Sequence, residues 1–260
     1  PVVGILSQAM ANVLSAEQQI QAITGLPSDV ASIQAQSVAL IDKITPEVDE
    51  LQKILLSYGE TAQRQLSLAE SQLASGDPLE LVLSQLKELQ ADSLNMKRTI
   101  DSLLDLIMRS ANEIASFVNP LATIQSQLRS QTVLLQEEMS NARSREDAIH
   151  KRYLYLLALG PFGLPGLATA LGLYLKWKSE ADNLEAQVNA ANLELSRLDL
   201  MLSATNQLIV HFSDLKNKLS GMQNTIGFLA TDVAEIITDT EQGGVRSVIE
   251  IHIQATLGQV

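Results

Sequence analysis

The stretch Trp177–Leu219 reads WKSEADNLEAQVNAANLELSRLDLMLSATNQLIVHFSDLKNKL. Alternating steps of four and three pick out Trp177, Ala181, Leu184, Val188, Ala191, Leu195, Leu198, Leu202, Thr205, Ile209, Phe212, Lys216 and Leu219. Eleven of these thirteen seam positions are apolar. A sustained seven-residue apolar repeat predicts coiled-coil-like helix packing, because it keeps one seam against a partner. Weaker stripes lie upstream. Leu121, Leu128, Leu135, Ala142 and Ile149 keep the seven-residue period, while the alternate seam carries Gln131, Glu138 and Arg145. Val48, Leu51, Leu55, Tyr58 and Ala62 form another stripe, and Ile100, Leu104, Ile107, Ala111, Ile114 and Val118 a third. A helix of about 50 residues is on the order of 75 Å long. The expected fold is all-α, an elongated antiparallel bundle of long coiled-coil-like helices. No repeat of roughly 20–50 residues is present, which argues against a solenoid.

Helix punctuation divides the chain. Thr45-Pro46-Glu47 and Asn119-Pro120 each set a capping residue before a proline, a helix-start signal. Ser75-Gly76-Asp77-Pro78-Leu79-Glu80 reads as a stop followed by a start, with Asp77 and Glu80 as a capping box. Ser220-Gly221 and Gly243-Gly244 read as later breaks. The elements expected from these signals are 2–24, 28–44, 46–75, 78–118, 120–159, 167–219 and 222–242. Ile249-Glu250-Ile251-His252-Ile253 alternates, which suits either a short strand or a last helix.

Composition removes several function classes. The 260 residues hold 18 Lys and Arg against 30 Asp and Glu, a net charge of −12, so no basic stripe is available for nucleic acid. The absence of cysteine rules out disulfides, thiolate metal sites and a cysteine nucleophile. An apolar fraction of 46% with 18% charge predicts a folded core. His150, His211 and His252 stand apart and outside any metal-binding motif. Acidic residues fall along helix faces, where solvation accounts for them. No catalytic residue, metal site or cofactor is expected, and the reading is of a non-enzyme. Residues 1–28 carry a single charged residue, Glu17, and no basic residue, so no secretion signal is visible, although a leader already removed fits equally well.

One segment departs from the amphipathic pattern. Tyr153–Leu175, YLYLLALGPFGLPGLATALGLYL, is 23 residues without charge and with nine Leu. Its flanks are cationic: Lys151 and Arg152 before it, Lys176 and Lys178 after it. Five of the nine aromatics, Tyr153, Tyr155, Phe162, Tyr174 and Trp177, fall between residues 148 and 179. Apolar sequence bounded by interfacial aromatics and cations is the pattern of a membrane segment. A buried central helix of the bundle is the plainer reading, but it gives no reason for basic residues at both ends.

Gly160, Pro161, Gly163, Pro165 and Gly166 crowd the middle of this segment and predict a turn rather than one straight span. The alternative of a single transmembrane helix stays open, since membrane helices tolerate Pro and Gly. The two arms, 153–159 and 167–175, reach roughly 10 and 13 Å, about one leaflet of a 30 Å hydrocarbon core. The membrane-inserting residues are then Tyr153, Leu154, Tyr155, Leu156, Leu157, Leu159, Phe162, Leu164, Leu167, Leu171, Leu173, Tyr174, Leu175 and Trp177. Lys151, Arg152, Lys176 and Lys178 are the interfacial cations. The domains expected are a tail bundle, 1–152 with 176–260, and an apolar hairpin head, 153–175, at one end. Such a head needs shelter in water, either by folding onto the bundle or by oligomerising. Gly166 with Ala170, and Ala168 with Gly172, have the spacing of close helix approach. The almost uncharged N-terminal helix, residues 2–26, suits a pore lining or an ordinary place in the bundle.

Long Cys-free amphipathic helices interrupted once by a central apolar hairpin resemble the cytolysin A-type α-helical pore-forming toxins. That family includes the haemolysin BL and non-haemolytic enterotoxin components and the tripartite toxins of Gram-negative bacteria. The resemblance covers most of the chain as architecture, and Tyr153–Trp177 is its one local element, at the place of the family's membrane-binding head. It implies a secreted protein that binds target-cell membranes, oligomerises in solution or in the pore, and acts with companion toxin subunits. The short arms look like a single-leaflet component that needs those companions for a complete pore. A type III secretion translocator and a non-lytic membrane-anchored coiled-coil scaffold are the alternatives.

Overall fold

The structure, a computed structural model, describes residues 2–158, 164–258 and 260. Six helices follow one another: α1 Val2–Gln21, α2 Ser28–Ala74, α3 Leu79–Ser116, α4 Val118–Ala158, α5 Leu164–Glu241 and α6 Arg246–Leu257. No strand occurs among the described residues. The all-α expectation holds, and the ambiguous tail is helical because Ile249 and Ile253 are buried one turn apart while Ile251 is exposed.

Three expected breaks are absent or displaced. α2 continues through Pro46, although a proline inside a helix costs about 3 kcal/mol. Ile41, Ile44, Val48 and Leu51, all fully buried, flank it on both sides and hold the two halves in line. α5 likewise runs through Gly221, held by buried Leu219 and Met222. The α3–α4 break falls at Phe117, which puts Pro120 in the first turn of α4, where its missing N–H costs nothing.

The other stops behave as written. Gly76 (φ 78°) and Gly243 (φ 75°) take the left-handed conformation after α2 and α5. In each case two N–H groups turn back onto the last helical carbonyls, Asp77 to Gln72 and Gly244 to Asp239 among them. Arg246 completes the first of these ends by donating to the Asp77 carbonyl at 2.7 Å and the Leu73 carbonyl at 3.4 Å.

The helices pack as two compact units. The first comprises Pro1–Gln19, Ala35–Ala115 and Ala204–Val260. Part of its core joins Leu66, Leu73, Leu86 and Leu89 to Val233, Ile236 and the α6 residues Ile249 and Ile253. α1 is an ordinary bundle helix here, with Leu6, Met10, Val13 and Ala16 buried. The second unit comprises Ile20–Gln34 and Ser116–Ser203, that is, α4, the first part of α5 and the α1–α2 connection. That connection is tied in place by Gln34, which donates to the carbonyls of Ile20 (2.6 Å) and Ile23 (2.9 Å), and by Arg197, which donates to Gly25 (2.9 Å).

The α5 seam is correct in outline and shifts in detail. None of its thirteen positions is exposed. Beyond Leu198, however, Met201, Leu208, Leu215 and Met222 are buried, whereas Leu202, Ile209 and Lys216 are only half-buried. A straight helix of 3.6 residues per turn drifts against a strict heptad, so the inward face moves by one position along a helix this long.

Candidate functional site

Contacts between α4 and the start of α5 define a helical hairpin. Gln125 and Arg129 reach Asp199, and Arg143 reaches Asp182 at 2.8 Å as well as Glu185. Arg145 lies over Trp177 with its guanidinium carbon 4.6 Å from the ring centre. His150 stacks on Tyr174, centroids 4.9 Å apart at an interplanar angle of 27°. A methyl group placed on Gly166 would stand 3.3 Å from a Leu156 methyl. The midpoints of all these pairs fall near position 162, as two antiparallel helices require. The described residues 153–158 and 164–175 thus lie side by side rather than in one continuous helix. Among the described residues, no helix is long and apolar enough to cross a membrane.

Within the hairpin the two arms touch along a narrow stripe. Tyr153 and Leu156 on α4 and Leu167, Tyr174 and Trp177 on α5 are half-buried, and Ala170 is buried. Gly166 and Ala170 therefore form the close-approach pair, whereas Ala168 and Gly172 face outward. Six other large apolar side chains are open: Leu154 51%, Tyr155 66%, Leu157 47%, Leu171 38%, Leu173 37% and Leu175 55% exposed. Shelter by folding onto the rest of the chain is not what covers these six. Leu159, Gly160, Pro161, Phe162 and Gly163 lie outside the described residues. Pro165 and Gly166, expected in the turn, belong instead to the first turn of α5, where a proline sacrifices no hydrogen bond.

Below the apolar arms lies a band of charge. Lys151, Arg152, Lys176 and Lys178 are exposed, and the ammonium groups of Lys176 and Lys178 stand 5.4 Å from Trp177 and 6.0 Å from Tyr174. Arg145, which spoils the sequence seam of α4, and His150 join this band; their spacing along α4 to the aromatics of α5 was the missed signal. One turn further, Arg143 collects Glu146, Asp182 and Glu185, and the carboxylates hold its guanidinium even more firmly protonated than usual. Among the described residues, no group of three or more His, Cys, Asp or Glu side chains converges as a metal site requires.

No protein-family model and no curated protein matches the chain. Solved structures do. Soluble AhlC of the tripartite α-pore-forming toxin AHL from Aeromonas hydrophila is 26% identical, covers 98% of this chain and 94% of its own, and superposes with a TM-score of 0.77. Its triple head mutant gives 26% identity, 98% and 95% coverage and a TM-score of 0.78. The SmhB pore of the tripartite toxin Smh from Serratia marcescens shares the fold at 12% identity, with 96% and 95% coverage and a TM-score of 0.64.

Proposed function

We propose that this chain, which has the fold of the tripartite α-pore-forming toxin components, is itself a secreted pore-forming toxin component that binds target membranes through its α4–α5 hairpin. The carrying observation is six large apolar side chains left open to water at the end of two paired helices. A membrane removes that surface from water, at roughly 1.5–3 kcal/mol per large side chain. The head is 153–175 and the tail the remainder, with the inserting residues and interfacial cations named from the sequence. The longer described arm, residues 164–175, spans about 18 Å, close to one leaflet of a 30 Å hydrocarbon core. A component of that reach needs copies of itself and companion subunits to complete a pore, in keeping with the tripartite systems it resembles.

Liposome flotation without detergent tests this reading. Wild-type protein floats with vesicles, and Leu157→Glu/Leu171→Glu does not, because each carboxylate in hydrocarbon costs several kcal/mol. Equal flotation of the two proteins removes the hairpin as the anchor.

A further inference from the structure

We infer that the band at the base of the hairpin selects membranes rich in anionic lipid; this rests on the membrane reading of the arms proposed above. Three observations carry it. First, the chain has a net charge of −12, yet residues 148–179 hold Lys151, Arg152, Lys176 and Lys178 and no acidic residue, with Arg145 one turn before them on α4. Second, among the described residues none of the five makes an ion pair with a carboxylate, whereas neighbouring Arg143 contacts three. Cations without a carboxylate partner in an acidic protein are free to meet phosphate and other anionic headgroups. Third, the rings are already occupied. Trp177 has Arg145 and Lys176 over it, and Tyr174 has His150 and Lys178. A ring engaged by the protein's own cations is a poor seat for a quaternary ammonium, so choline headgroups are not what this band is built to hold. The rings instead fix the cations at the depth where the apolar arms end.

Flotation at low salt with two vesicle compositions tests the inference: pure phosphatidylcholine, and phosphatidylcholine with about a third phosphatidylglycerol. The wild-type protein should prefer the anionic vesicles, and raising the salt should erase the preference. In Lys176→Gln/Lys178→Gln the ratio of binding between the two compositions should fall about 25-fold, roughly fivefold per cation. Equal wild-type binding to both compositions overturns the inference while leaving the membrane reading intact. So does a double variant that keeps the preference. A double variant whose oligomeric state changes while its lipid preference does not would make the band a protein interface, which also overturns it. Wild-type protein that floats with neither composition defeats the membrane reading and this inference together.

Discussion

Glu17 lies on the inward face of α1, 7% exposed, hydrogen-bonded to Asp42 of α2. Burial, that hydrogen bond and the Asp42 charge push its carboxyl up to about 7. Two carboxyl groups in contact need a shared proton. The raised value means that the folded protein holds this proton more tightly than the unfolded chain. The stabilisation is therefore complete below the unfolded value of about 4.5 and is lost as pH rises through about 7. On the order of 2–3 kcal/mol is at stake. Chemical denaturation at pH 5 and pH 8 should show wild type losing more stability than Glu17→Gln over that interval. Matching losses in the two proteins would mean that Glu17 does not titrate there. Nothing in the sequence shows this pair: its members sit on different helices, and acidic residues in a net-negative chain read as solvated. Arg145 was illegible for the opposite reason, since it looked like a defect in a seam until Trp177 was placed beside it.

At the scale of helices, the apolar stripes were legible and the interruptions were not. A stripe reports which face is buried, and α5 buries or half-buries every position of its own. A proline or glycine reports only a local cost, and burial on either side outweighs it, as at Pro46 and Gly221. The cost should nonetheless be measurable. Pro46→Ala restores an N–H for the Asp42 carbonyl and removes the ring clash, so the denaturation midpoint should rise, corresponding to about 1–3 kcal/mol. A lower midpoint would show that the packing between α2 and its neighbours depends on the proline ring itself. The heptad slip in α5 has the same lesson in reverse: a seven-residue period read over a very long helix accumulates error that only its neighbours reveal.

At the scale of the whole chain, the fold and its likeness to pore-forming toxin components were legible from pattern, although sequence identity to them is low. A bundle seam accepts any apolar residue of fitting volume, and an apolar arm accepts almost any apolar residue, so substitutions accumulate without changing either. That is why 26% identity accompanies a TM-score of 0.77 over 98% of the chain, and why the pairings of Arg145 with Trp177 and of His150 with Tyr174 across the hairpin could be placed only in three dimensions. The same division predicts that folding and membrane activity separate. Residues 153–175 contribute Ala170 as their one buried apolar side chain among those described, so the bundle cores draw little from them. Replacing 153–175 with a short Gly/Ser turn should remove the helical signal of residues 153–158 and 164–175, and leave the thermal midpoint within a few degrees of wild type. Flotation, and dye leakage in the presence of companion subunits, should be lost altogether. A shortened protein that still floats would move the anchor to another surface. One that unfolds would make the hairpin part of the bundle's own core, and its exposed leucines would then need a different explanation from the membrane.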